Sequence, residues 1–185
     1  MDRRNLYVPQ KMEILKTDNG AELLPLVDAE GRVVGSATRA KCHDGSMLLH
    51  PVVHLHVINS RGELYLQHRP AWKQIQPDRW DTAVGGHVDW GEGRDEALRR
   101  EAQEELGIEG FAAEHICTYE FRSSCEHELI NVYICRYDGE IRPSDELAGG
   151  RFWSREEIEQ NLGRGVFTPN FESEAERIRL LEMLK

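Results

Sequence analysis

The sequence predicts one mixed α+β domain in which short strands outnumber helices. Hydrophobic residues make up 39% of the 185 residues and charged residues 30%, which is enough apolar material for a single folded core. Turn signals divide the chain into short segments, most of which have the alternating or continuously apolar pattern of strands. Strands and helices do not alternate regularly, so the pattern favours a sandwich of helices and a mixed sheet over a doubly wound sheet.

Strand patterns recur along the chain, at residues 22–28, 32–37, 52–58, 63–68, 80–84, 114–122, 129–137 and 151–153. The first four predict two β-hairpins, because the turns Ala29-Glu30-Gly31 and 59–62 contain residues that tolerate unusual backbone angles. Residues 71–79 are aromatic, polar and proline-containing, and they predict a loop.

Three segments predict helices. Residues 94–106 place their apolar side chains on or near one stripe, and Gly107 is a typical C-terminal cap. Ser154-Arg155-Glu156-Glu157 is a capping box that begins a second helix. Residues 172–184 predict a final amphipathic helix.

Charge and composition exclude several classes of partner. The formal net charge is −10, which argues against a broad basic face for a nucleic-acid polymer. The first residues contain no apolar signal run, and no stretch approaches the length of a membrane helix. The four cysteines lack CxxC spacing, which is typical of reduced thiols. We expect a cytoplasmic protein with no membrane partner. The sequence leaves the oligomeric state open, with a homodimer among the options.

An acidic cluster carries the main chemical signal. Glu101, Glu104 and Glu105 stand at positions i, i+3 and i+4 of the predicted helix, which crowds three carboxylates within an arc of about 100°. Such carboxylates repel one another unless a cation neutralises them, and hard divalent ions suit oxygen ligands best. Mg²⁺ or Mn²⁺ is therefore expected as cofactor. A metal bound there can share substrate phosphates and activate a water, so the expected partner is a small-molecule diphosphate.

The segment from Gly86 to Ile108 resembles the Nudix box, GX5EX7REUXEEXGU. Every fixed position matches, with Ala102 at the first apolar place. The resemblance implies the Nudix fold, an α/β/α sandwich with a mixed sheet, here in one domain over residues 1–185 with an N-terminal extension and hairpin over 1–45. It also implies Mg²⁺-dependent hydrolysis of a nucleoside or other organic diphosphate. The residues to which it assigns metal binding, base catalysis or support of the loop and helix are Glu92, Arg100, Glu101, Glu104 and Glu105.

Outside the box, about the first two-thirds of the chain resembles type I isopentenyl diphosphate isomerases. In that family three histidines and two glutamates hold one metal, and the matching residues here are His43, His50, His87, Glu126 and Glu128. Arg69 and Lys73 match residues that contact the diphosphate, and Gly86 of the glycine turn is expected to bind substrate with them. Packed histidines and solvent-facing glutamates are the alternative interpretation of the first set. His54, His56, His68, His115 and His127 are expected to have structural roles.

One position departs from the isomerase pattern. Gly85 stands where those enzymes carry a catalytic cysteine, and glycine has no proton to transfer to an alkene. The acidic set of the box is complete, which favours hydrolysis of a phosphoanhydride. The sequence therefore predicts a Nudix pyrophosphohydrolase. An isopentenyl diphosphate isomerase and a non-catalytic diphosphate-binding module are the two alternatives.

Overall fold

A computed structural model describes residues 19–73 and 75–185 of the chain. Its strands are β1 (Leu23–Val27), β2 (Val33–Thr38), β3 (Leu49–Ile58), β4 (Leu64–His68), β5 (Trp80–Thr82), β6 (Val84–His87), β7 (Ala113–Arg122), β8 (His127–Arg136) and β9 (Gly150–Trp153). Its helices are α1 (Arg39–Cys42), α2 (Arg94–Leu106), α3 (Arg155–Asn161) and α4 (Pro169–Arg177), followed by a 3₁₀ helix (Leu180–Met183). Residues 1–18 of the predicted extension lie outside this description.

The larger sheet is mixed, as the sequence predicts. Its path runs β5-β4-β3-β8-β7, with β6 added on β3 and β9 on β4. β3 and β8 are parallel and pair along ten residues each, whereas the other neighbours in this sheet pair antiparallel. β1 and β2 form a separate antiparallel hairpin. The parallel β3–β8 pair matters for function because it brings residue 50 beside residue 128.

Helices cover both faces of the sheet. Val53, Leu55 and Val57 of β3 join the apolar core under α2. The alternate residues Val52 and Ile58 join a second core with α3, α4 and the 3₁₀ helix. This alternation is the period of two expected of a strand buried on both sides. The predicted α/β/α sandwich is therefore confirmed.

Helix α2 has the boundaries that the sequence predicts. Its apolar stripe is buried, and Gly107 adopts the left-handed conformation with φ of 65°. The hydrogen bond from the Gly107 N–H to the Gln103 carbonyl, 2.9 Å, closes the last turn. This rigid end fixes where the carboxylates of the last turn point.

Two boundary predictions were incomplete. The strand predicted over 80–84 is two strands, and the second extends to His87 because the glycines pair with β3. The final helix begins at Pro169, with Thr168 as its cap, and ends at Arg177. Arg179 has a left-handed φ of 55°, which interrupts the predicted helix over 172–184 before the 3₁₀ turn. Helix α1 carried no recognised sequence signal.

In the described part of the chain, no helix combines the length and apolarity needed to cross a membrane.

Candidate active site

Arg100 organises the acidic end of the Nudix box. Its Nε and Nη2 donate to the two carboxylate oxygens of Glu92 at 2.9 and 2.8 Å, and Nη2 also donates to the carbonyl of His87 at 3.0 Å. Its Nη1 contacts Glu101 at 2.8 Å and Glu104 at 3.2 Å. A guanidinium can hold this many acceptors because its donors form a planar fork. Arg100 thus ties the loop, helix α2 and strand β6 together.

Glu101 lies against the backbone of Gly86. A side chain at position 86 would overlap the Glu101 carboxylate, so the close approach of α2 and β6 requires glycine here. Burial raises the pKa of Glu101 to about 7, and Arg100 offsets this only in part. Without a bound cation, Glu101 is thus ionised less readily than an exposed glutamate.

Glu105 has a different environment from the other two carboxylates. It accepts a hydrogen bond from the Gly85 N–H at 3.3 Å, and it lines a cleft that also contains His43 and His87. Burial, reinforced by the nearby charge of Glu101, raises its pKa to about 8. Glu104 is instead 60% exposed and is bound to Arg100 at the surface. Only Glu105 of the three therefore faces the cleft directly.

A second group of ligand atoms lies in the same cleft. The potential metal-ligand atoms of His43, His50, His87 and Glu128 all lie within 4.8 Å of one another. His43 is the cap residue that ends α1, and the other three come from β3, β6 and β8. Residues separated by up to 85 positions are brought together because β3 pairs with both β6 and β8.

The chemistry of this histidine group fits a divalent metal. The Nδ1 of His50 lies 3.0 Å from the Leu48 carbonyl, which assigns the proton to Nδ1 and leaves the lone pair on Nε2. That Nε2 is buried and has no hydrogen-bond partner among the described residues. Burial also lowers the pKa of His50 and of His87, so both rings are neutral. Neutral imidazoles whose second nitrogen binds a carbonyl are the usual arrangement of metal-bound histidine.

The other predicted ligand, Glu126, lies next to His43. Its Oε2 is 3.8 Å from Nδ1 of His43, whereas Nε2 of His43 is 3.1 Å from Nε2 of His87. Burial raises the pKa of Glu126. The pKa of Glu128 is raised to about 7 by its burial and by the nearby charge of Glu126. Glu126 therefore lines the cleft outside the four-residue group.

The two predicted phosphate-binding cations also line the cleft. Arg69 contacts Asp81 at 3.3 Å and donates to the carbonyls of Ile75 and Gln76, which holds the loop after β4 in place. Lys73 lies in the same loop, with its Nζ 4.8 Å from the centre of the Trp72 ring. Both side chains line the cleft.

A single cleft of about 560 Å³ joins these groups. This volume suits a small organic ligand. Its lining includes Glu105, Gly86, both cations and three members of the histidine group, His43, His87 and Glu128. The catalytic and binding roles of these residues stay predictions, but the fold places most of them around one space.

Sequence reasoning missed one pair of residues. His54 lines this cleft, and its Nδ1 lies 2.8 Å from the buried carboxylate of Glu174 on α4. The two residues are 120 positions apart, so no local spacing connects them. The only available signal was the pair His54 and His56 at alternate positions of an otherwise apolar strand.

Comparison with known proteins assigns the family. A family model described as NUDIX domain matches residues 48–171, which is about two thirds of the chain. The chain belongs to the Nudix family. It is an enzyme of the Nudix pyrophosphohydrolase type, as its Nudix box predicts.

Relatives of this Nudix protein carry two kinds of name. An uncharacterized Nudix hydrolase of Streptomyces coelicolor is 33% identical over 161 residues, which cover 85% of this chain and 88% of that one. An isopentenyl-diphosphate Δ-isomerase of Serratia proteamaculans is 32% identical over 146 residues, covering 75% and 78%. The predicted likeness to both groups is confirmed.

Solved structures agree on the fold. The crystal structure of DR0079 from Deinococcus radiodurans superposes with a TM-score of 0.72 at 27% identity, covering 85% of this chain and 99% of that one. A MutT protein from Methanosarcina mazei has a TM-score of 0.62 at 23% identity, covering 72% and 95%, which supports the fold alone.

Proposed function

We propose that this Nudix protein cleaves the phosphoanhydride bond of a nucleoside or other organic diphosphate by divalent-metal-assisted attack of water. The observation that carries the proposal is the cleft itself. A box carboxylate, Glu105, and two cations, Arg69 and Lys73, line one space that is large enough for a diphosphate ester. Carboxylates that hold a metal and cations that hold phosphate are the two requirements of this reaction.

The box residues supply the metal site in this proposal. Glu101, Glu104 and Glu105 hold Mg²⁺ or Mn²⁺, while Glu92 and Arg100 fix the helix against the loop. An ion held by these carboxylates would supply charge to neutralise the phosphate oxygens and would lower the pKa of a water. A cation bound beside Glu105 would keep its carboxylate ionised, and in that form it could accept the proton of the attacking water. Arg69, Lys73 and the backbone of Gly86 orient the phosphates.

The histidine group supplies a second site for a divalent ion. Its neutral imidazoles and the Glu128 carboxylate suit Mn²⁺ as well as softer ions. Glu126, next to His43, acts here as an outer partner that orients the ring. We assign this site to holding the far phosphate, because three of its residues, His43, His87 and Glu128, line the same cleft as Glu105.

Gly85 favours hydrolysis over isomerisation. Protonation of an alkene carbon needs an acidic group at the reacting carbon, and position 85 has no side chain. Among the described residues, the thiol that lines the cleft is that of Cys125. It lies in the loop before β8, whereas Gly85 lies on β6. The complete carboxylate set of the box has no purpose in a module that only binds diphosphate.

A phosphate-release screen tests the proposal. Nucleoside diphosphates and triphosphates, dinucleotide polyphosphates, nucleotide sugars and prenyl diphosphates are compared in Mg²⁺ and in Mn²⁺. We expect metal-dependent turnover of at least one class, lost in Glu105→Gln by more than a hundredfold. Glu109→Gln is the matched control, because this exposed glutamate follows the same helix outside the cleft. No turnover on any class, or full activity in Glu105→Gln, would contradict the proposal.

Isotope exchange tests the isomerase alternative. Isopentenyl diphosphate is incubated with the protein and Mg²⁺ in deuterium oxide. We expect no deuterated allylic product to form, because Gly85 has no side chain that could transfer a proton. Deuterium incorporation at a rate above that of phosphate release would replace hydrolysis with isomerisation as the function of this cleft.

A further inference from the structure

His54 lines the cleft but belongs to neither predicted metal set. It projects from β3 opposite Gly85 of β6. The ring of His54 borders the space that a side chain at position 85 would occupy. A Cβ built on residue 85 would lie 3.5 Å from Cδ2 and 3.6 Å from Nε2 of His54. Because residue 85 is glycine, the Nε2 edge of His54 is open to the cleft.

A buried carboxylate fixes the orientation of this ring. Glu174 of α4 is fully buried, and its Oε2 accepts from Nδ1 of His54 at 2.8 Å and from the hydroxyl of Tyr119 at 2.6 Å. Its Oε1 accepts from Nε2 of His56 at 2.7 Å. With Nδ1 held by Glu174, Nε2 of His54 points away from α4. It makes no hydrogen bond within the described ranges, although the ring is only 14% exposed.

The network is larger than a purely structural role requires. A buried glutamate is costly unless it is paired, and His56 and Tyr119 already give Glu174 two donors away from the cleft. The third donor, His54, is the member that reaches the cleft. When a carboxylate accepts a hydrogen bond from one imidazole nitrogen and the other nitrogen faces the ligand, the carboxylate fixes the orientation of the ring and stabilises its protonated form.

Charges around His54 support the protonated form of the ring. Burial by itself lowers the pKa of His54, but the carboxylates of Glu174, Glu128 and Asp81 outweigh this effect and raise the pKa to about 9. A doubly protonated ring presents an N–H donor at Nε2. Glu105 accepts from the N–H of Gly85, so a base and a donor flank the same glycine.

We propose that His54 is a catalytic residue whose Nε2–H donates a hydrogen bond to the leaving phosphate, and that Glu174 is its positioning residue. This inference rests on the proposed function. As water attacks, a new P–O bond forms and the bridging P–O bond breaks, with its electron pair staying on the leaving oxygen. The water proton passes to Glu105. His54 stabilises the charge that develops on the leaving oxygen and transfers no proton in this step.

Two strand neighbours provide the matched variants. His54→Gln removes the donor that faces the cleft, whereas His56→Gln removes a donor to the same Glu174 from a fully buried position outside the cleft. Both variants are assayed on the diphosphate that the wild type turns over fastest. We expect kcat to fall about 10²- to 10³-fold in His54→Gln, the usual effect of losing one preorganised donor. We expect kcat to change less than threefold in folded His56→Gln.

Nitrogen-15 NMR of the histidine rings tests the contact without turnover. Inorganic pyrophosphate with Mg²⁺ is titrated into the full chain, and the ring of His54 is assigned in the wild type by through-bond correlation with its own backbone resonances. We expect the Nε2 resonance of His54 to shift on binding. We also expect the ring of Glu174→Gln to titrate at a lower pH than that of the wild type.

The two measurements separate the possible failures. A wild type that hydrolyses no diphosphate refutes the proposed function, and the NMR titration then still reports whether His54 contacts pyrophosphate. Normal kcat in His54→Gln, or equal losses in His54→Gln and His56→Gln, would overturn the catalytic assignment. If His54→Gln fails to fold, an Nε2 resonance that pyrophosphate leaves unmoved in the wild type overturns it instead.

Discussion

Substitution of Glu105 by glutamine should stabilise the metal-free protein while abolishing its activity. Burial raises the pKa of Glu105 from 4.5 to about 8, so the folded state holds the proton more tightly than the unfolded state. Folding therefore becomes less favourable as the pH rises from about 4.5 to about 8, because the unfolded chain releases its proton first. Glutamine carries no charge and removes this dependence.

The expected magnitude follows from the same pKa difference. At about 1.4 kcal/mol for each pH unit, ionised Glu105 costs the folded state at most about 5 kcal/mol above pH 8. A buried amide that is incompletely hydrogen-bonded costs about 1–3 kcal/mol in return. We expect Glu105→Gln to raise the free energy of unfolding by about 2–4 kcal/mol at pH 8.5 and by close to zero at pH 5.5.

The assay is urea unfolding in EDTA at both pH values, with Glu104→Gln as control. Glu104 is in the same helical turn but is 60% exposed, so its substitution should change the free energy of unfolding by less than about 0.5 kcal/mol. Mg²⁺ at 100 times its Kd should then stabilise the wild type by about 2.7 kcal/mol and the Glu105 variant by less. A variant that is less stable than the wild type at pH 8.5 in EDTA would refute the reasoning about burial.

Three further outcomes follow from contacts in the site. Gly86→Ala should lower the free energy of unfolding by about 1–3 kcal/mol, because the added methyl group overlaps Glu101. Calorimetry should also show weaker Mn²⁺ binding, and a normal Mn²⁺ affinity would count against this packing. Arg100→Lys should lower the free energy of unfolding in urea by about 1–2 kcal/mol, since lysine cannot reproduce the two hydrogen bonds to Glu92. An unchanged unfolding midpoint would show that these hydrogen bonds contribute nothing to stability. The raised pKa of His54 predicts stability that is fully present below pH 6.5 and is lost as the pH rises through about 9. In pH-dependent unfolding, His54→Gln should lack that loss, which is at most about 3.5 kcal/mol. Equal pH dependence in both proteins would argue against a charged ring.

Local sequence patterns predicted those elements whose signals are local. Helix α2 matches its predicted range because its apolar stripe and its capping glycine, Gly107, fall within 14 consecutive positions. The final helix was predicted too long because an apolar stripe continues past the interruption at Arg179, whose backbone angle the sequence does not reveal. β6 was cut short because consecutive glycines resemble a turn, while pairing with β3 keeps them extended.

The site divides in the same way. The carboxylates of the box come from one helix, so their spacing was sufficient to predict that they lie together. The neutralising role of Arg100 was not foreseen in detail, because a single guanidinium satisfies Glu92, Glu101 and Glu104 at once. Glu174 lies on a helix that the sheet topology alone brings against β3, so its contact with His54 required the tertiary structure.

The most direct measurement of the central claim is the fate of the phosphoanhydride bond in ¹⁸O-labelled water. With Mg²⁺ and the best substrate, mass spectrometry should find one labelled oxygen in one phosphate product per turnover for the wild type and none above background for Glu105→Gln. Products with an intact, unlabelled diphosphate would show that the cleft does not direct water at phosphorus.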